Sequence, residues 1–192
     1  MTARHILTGL TAGVISLVAT AAAVPTVQAQ GAETFTATAT VKTATGSTAT
    51  APVTIVVERK MSQAEADKFL GAFKSGGAAA LRKALAGVPA TGSVKIGDAA
   101  ATPTRLTLER ATDKGRLISI VTDQPIVFLG AGLPGAKAKE GYDFGIVDLE
   151  VDGAGTGTGS LAGAAKVTVK QGVFVVDDYS GELVRLTVKK AK

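Results

Sequence analysis

Between Thr34 and Val41 the chain alternates strictly, with Phe35, Ala37, Ala39 and Val41 set between Thr34, Thr36, Thr38 and Thr40. A period of two puts the apolar set on one face of a strand and the threonines on the other, the mark of a half-buried sheet. The Thr/Ala/Gly/Ser stretch from Thr43 to Ala51 breaks the period and reads as a loop. Val53, Ile55 and Val57 then resume it, with Thr54 and Glu58 opposite.

From about Ser62 to Ala86 the pattern turns helical. Ser62 and Glu65 have capping-box spacing: the hydroxyl accepts from a first-turn amide while the carboxylate reaches back. Phe69, Leu70 and Phe73 supply an apolar face. Ser75-Gly76-Gly77 interrupts it. A second short helix is predicted from about Ala78 to Ala86, burying Leu81 and Leu85 and stopped by Gly87 and Pro89.

From Gly92 onward only strand signals occur. Leu106 and Leu108 alternate with Arg105, Thr107 and Glu109; Leu117 to Val121 and Ile126 to Leu129 are denser apolar runs, with a bend implied by Pro125 between them. Val147, Leu149 and Val151 oppose Asp148, Glu150 and Asp152. Val167 and Val169, then Phe174 to Val176, then Val184, Leu186 and Val188 mark the remaining strands. Turn signals at Asp113-Lys114-Gly115, Asp152-Gly153, Gln171-Gly172 and Ser180-Gly181 leave connections too short for parallel crossovers. The expected fold is α+β and mostly antiparallel β: a curled sheet, sandwich or barrel of about nine or ten strands, with two short helices inserted after the second strand.

The first 29 residues follow a different logic. Arg4 and His5 precede an apolar run from Ile6 to about Val24, and Val27-Gln28-Ala29 offers small residues two apart, the pattern of a secretory cleavage site. Gly9, Gly13 and Pro25 dilute the run, which suits a signal peptide better than a membrane anchor of roughly 20 strongly apolar residues. The expectation is a signal peptide over 1–29, removed near Ala29, and a single β-rich domain over 30–192. No Cys stands at the cleavage site to carry a lipid, so a periplasmic or secreted protein is expected.

Composition narrows the chemistry. The chain of 192 residues has no Cys and no Trp, and its one His is His5 in the leader. A mature chain without His or Cys has no Ser/His/Asp triad, no Cys/His pair and no imidazole or thiolate metal ligand. The formal charge of +5 becomes +4 once Arg4 is removed. Lys189, Lys190 and Lys192 read as a solvated terminus. Nucleic-acid binding is not expected, since it needs a concentrated basic face with stacking aromatics. A bilayer-spanning barrel is not expected either, because the outward positions carry Thr, Lys, Arg and Glu.

Four motifs were candidates for chemistry. Gly130, Gly132 and Gly135 match the dinucleotide spacing, with Glu150 beyond, but no helix follows for the pyrophosphate to meet. Asp148, Glu150 and Asp152 start like a calcium loop, yet Gly159 occupies the twelfth position and Leu149 and Val151 suit a strand. Charge pairing with Lys166, Lys170 or Arg185 is the expected role of those acids. Gly153, Gly155, Gly157 and Gly159 read as a wide connection. Asp177, Asp178, Tyr179 and Glu182 read as a turn. No catalytic, cofactor-binding or metal-binding residue is assigned, and no cofactor is expected.

The segments Gly115–Gly130 (GRLISIVTDQPIVFLG) and Tyr142–Val169 (YDFGIVDLEVDGAGTGTGSLAGAAKVTV) resemble a group of exported bacterial proteins with no known activity. The resemblance implies a small exported β-rich domain. The leading functional expectation is a non-catalytic module that contacts a protein or another envelope component. The alternatives are a barrel-type carrier of a small apolar ligand and, behind it, a carboxylate-dependent hydrolase.

Overall fold

The computed structural model describes residues 31–42, 48–126, 140–170, 173–178 and 184–191. Its elements run β1 (Glu33–Lys42), β2 (Thr48–Val57), α1 (Gln63–Ala86), β3 (Gly92–Ile96), β4 (Thr102–Thr104), β5 (Leu106–Thr112), β6 (Gly115–Val121), β7 (Phe144–Val151), β8 (Thr156–Lys170), β9 (Val173–Asp178) and β10 (Val184–Lys190). The alternation in the sequence is the pleat of these strands. Phe35, Ala37 and Ala39 of β1 lie buried while Thr36 and Thr38 are exposed.

All strand pairs are antiparallel and form one sheet, in the order β4-β3-β2-β1-β10-β8-β7-β6-β5, with β9 also on β8. The two ends of that order, β4 and β5, are separated by Arg105 alone. The sheet therefore curls into a nearly closed barrel. Strands β9 and β10 also share a position. Ala165 of β8 is the partner of Phe144 on one side and of Asp178 on the other, which puts β9 on the β8 edge that β10 occupies further along. With β4 and β5 sharing one place and β9 and β10 another, the ten strands fill eight positions. A barrel of eight strands has an interior just wide enough for its own side chains.

One contiguous cluster fills that interior. Phe35, Ile55, Val94, Ile118, Leu149, Leu161 and Leu186 are among its members, and none of these is more than 2 % exposed. At the seam, three buried threonines replace apolar packing. The Thr91 hydroxyl lies 3.0 Å from that of Thr104 and 2.9 Å from that of Thr107. Met61 donates its amide to the Thr107 carbonyl, and Glu58 and Arg59 donate to Thr91. These bonds join the chain leaving β2 to the seam, so its buried polar groups are satisfied there.

The helix packs outside the barrel. Leu85 of α1 is fully buried with Phe144, Ala162 and Ala165, and Phe69 and Leu81 pack against the same group. A register shift admits one extra β8 residue between the partners of Phe144 and Ile146. That bulge brings Ala162 and Ala165 onto the same outer face, where their small side chains let the helix approach.

Three expectations need correction, and a fourth is met in part. The helical stretch runs as one element, α1, but the break expected at Ser75-Gly76-Gly77 is present within it, as non-helical dihedrals at Gly76 and Gly77. The loop expected to reach Ala51 ends sooner, because β2 begins at Thr48 and pairs with Lys42. Pro52 is tolerated because it lies beyond the last β2–β3 pair, Val53↔Ile96, where no ladder donor is needed and its carbonyl accepts from Gly97. Ile126, expected to open a strand, lies outside any strand and donates its amide to Gly163; residues 127–129 are outside the described set. The connection expected over Gly153–Gly159 is a short turn, and β8 already includes Gly157 and Gly159. Neither glycine is a hinge. A Cβ on Gly157 would lie 1.9 Å from the Glu150 carbonyl oxygen, and one on Gly159 2.4 Å from that of Asp148. The wall turns so tightly there that only glycine fits.

Candidate functional site

One end of the barrel is closed by charge. Counting by twos from the buried core, Glu33 precedes Phe35, Arg116 precedes Ile118, Glu109 follows Thr107 and Lys190 follows Val188. Each of these charged residues thus shares the inward parity of its strand, and Lys60 joins them from the segment after β2. Arg116 grips Glu33 with both guanidinium nitrogens at 2.8 and 2.9 Å and reaches Glu109 at 2.8 Å. Lys60 lies 3.0 Å from Glu33 and 2.6 Å from Glu109, and Lys190 lies 2.6 Å from Glu33. The Arg116 guanidinium also covers the Phe35 ring, 5.9 Å from its centroid.

Glu33 is the hub, with its side chain only 11 % exposed. The hydrogen bond from Arg116 holds its carboxyl far below the usual range, against the opposing effect of burial and with help from Lys190 and Lys60. Arg116 is in turn held more firmly protonated by Glu33 and Glu109. Two carboxylates from different strands do converge here, the feature a glycosidase-type site requires. Each is nevertheless engaged by at least two cations, which favour the ionised form of Glu33 over the protonated form a general acid needs. The arrangement is a bracing plug that ties β1 and β10 to the β5–β6 pair.

The outside of β3, β2, β1, β10 and β8 has another character. Pairing registers align Lys95, Thr54, Thr36, Lys189 and Thr156 in one cross-strand row. The next row holds Pro52, Thr38, Thr187, Thr158 and Glu150, and the third Thr50, Thr40, Arg185, Ser160 and Asp148. Strand geometry spaces such neighbours about 4.8 Å apart across strands and about 6.7 Å along them. Thr36, Thr38, Thr50, Thr54, Thr156, Thr158 and Thr187 are all exposed, as are Lys95, Arg185 and Lys189. Among the described residues, no carboxylate forms an ion pair with those three cations. An apolar inside and a polar outside reverse the arrangement of a bilayer-spanning barrel. Among the described residues no helix is long and apolar enough to cross a membrane.

The motifs singled out from sequence disperse. Gly130, Gly132 and Gly135 lie outside the described residues, as do Tyr179 and Glu182. Asp148 accepts a hydrogen bond from Ser119 at 2.6 Å, in place of the lysine or arginine expected. Asp152 accepts from the amides of Ala154 and Thr156, both at 2.9 Å, and so shapes the β7–β8 turn. No group of three acidic residues placed to hold a metal occurs among the described residues. Asp177 stands opposite Lys166 in the β8–β9 register. Of the expected solvated tail, Lys189 faces outward, Lys190 turns inward to Glu33, and Lys192 is outside the described residues. The plug was missed because Glu109 was read with the polar face of its strand and Lys190 with a solvated tail, while Glu33, Lys60 and Arg116 were given no role. The signal was parity for three of its members, since Glu33, Arg116 and Lys190 fall on the apolar beat, whereas Glu109 shares its parity with the buried Thr107. No known protein family, curated protein or solved structure matches the chain.

Proposed function

We propose that this protein is a non-catalytic binding module of the cell envelope or its surroundings, working through the outer sheet face of β3, β2, β1, β10 and β8. The observation that carries this reading is the contrast between its two sides. The described inward positions are committed to packing or to the plug, whereas the outward rows present hydroxyls and cations that no neighbouring carboxylate satisfies. The packed interior gives no support to the apolar-ligand carrier, which needs unfilled space inside the wall. The hydrolase alternative loses its best carboxylate pair to ion pairing. Placement outside the cytosol is supported by the leader-like first 29 residues alone.

Cell fractionation tests the proposal. A C-terminally tagged chain in its native host is expected in the periplasm or medium with Gln30 as its first residue, and is expected to co-sediment with isolated envelope. Intact chain beginning at Met1 and confined to the cytosol would overturn the placement. Failure to co-sediment would overturn the binding role.

A further inference from the structure

We propose that the face of β3, β2, β1 and β10 binds a polyanionic polysaccharide, an inference that rests on the binding role above and names its partner. Lys95 and Lys189 stand in one row, three strand spacings apart and so about 14 Å from each other along the wall. Arg185 lies four residues from Lys189 on the same side of β10, about 13 Å away. Between these three cations lie Thr36, Thr38, Thr40, Thr50, Thr54 and Thr187, with no carboxylate among them. Charge of one sign at such intervals fits a ligand that repeats its anions along a chain. Apart from Thr36, whose hydroxyl donates to the Lys189 carbonyl, the threonine hydroxyls can both donate and accept, which matches sugar hydroxyls between the anionic groups.

Other occupants fit worse. A nucleic acid would call for aromatic side chains on which bases stack, and these rows contain none. A lipid surface calls for apolar groups to insert, and the rows offer hydroxyls instead. A second copy docked through the same face by a two-fold axis would set like charges against one another. The acids Glu150 and Asp148 lie at the far side, beyond β8, and bound the field there.

The test titrates the full-length gene product, purified as its own cell leaves it, with polygalacturonate, neutral dextran and single-stranded DNA. Binding to polygalacturonate and not to dextran is expected. The triple variant K95Q/R185Q/K189Q is expected to lose at least about tenfold in affinity, with the slope of log K against log salt shallower by about two. A control, K68Q/K74Q/K83Q, removes the same charge from exposed positions on α1 and is expected to lose less than about threefold, since only the general field changes. T38V/T187V should weaken binding without changing the salt slope. Equal losses in the two triple variants, or DNA bound as tightly as polygalacturonate, would overturn the proposal. If the unmodified protein co-sediments with envelope but ignores polygalacturonate, the polyanion inference falls while the binding role stands. If it does neither, both fall.

Discussion

At the residue scale, Glu33 and Gly157 show how one position governs a neighbourhood. Glu33 neutralises three cations, so Glu33→Gln leaves Arg116, Lys60 and Lys190 crowded with one carboxylate fewer. Breaking a fully buried pair costs several kcal/mol; discounted for partial solvent access, a loss of about 2 kcal/mol is expected at pH 7. Because the folded-state pKa of Glu33 lies below its unfolded value of 4.5, its contribution is complete above about pH 4.5 and declines as the pH falls towards the folded value. Urea melts at pH 7 and pH 3 should therefore show the gap between wild type and Glu33→Gln narrowing in acid, and a constant gap would refute the hub role. Gly157→Ala drives a Cβ into the Glu150 carbonyl, where only backbone movement gives relief. A cost of about 2 kcal/mol or more is expected, against about 0.5 or less for the exposed neighbour Thr158→Ala. Equal urea midpoints for the two variants would show that the wall is looser than its register.

At the element scale, sequence legibility follows how local the cause is. The alternation in β1, β2, β7 and β10 and the Ser62–Glu65 capping box are properties of adjacent residues, and both appear in the structure as read. The break at Ser75-Gly76-Gly77 was legible as well; that the two helical segments run on as one element was less so, because the glycines resemble a stop until Leu85 is seen anchored on the sheet. The start of β8 was hidden for a related reason: glycines at alternate positions look like a loop unless the approach of β7 is known. Contact between α1 and the barrel yields its own expectation. Leu85 is fully buried against Phe144, Ala162 and Ala165, so Leu85→Ala should cost about 2–5 kcal/mol. Denaturant melts monitored by circular dichroism measure this, and a cost below about 1 kcal/mol would mean that the helix merely rests on the wall.

At the scale of the whole molecule, closure depends on partners far apart in the chain. Antiparallel alternation is common to sandwiches and barrels; what distinguishes them here is that β1 finds β10, a pairing that leaves no local trace in the sequence, and that β4 at one end of the strand order runs on through Arg105 into β5 at the other. The plug is the side-chain counterpart of that closure, since Glu33 meets Lys190 at the same end where the Ala191 amide donates to the Thr34 carbonyl. If the last strand completes the wall, the rest should not survive without it. Ending the chain after Asp178 removes Val184, Leu186 and Val188 from the core and opens one edge on β1 and another on β8. Open, apolar-backed edges recruit other chains. The truncated protein is expected to aggregate on a sizing column and to show no cooperative thermal transition. A monomer that still melts sharply would mean that β1 to β9 fold without closure, and the barrel would then be a sheet that β10 only decorates.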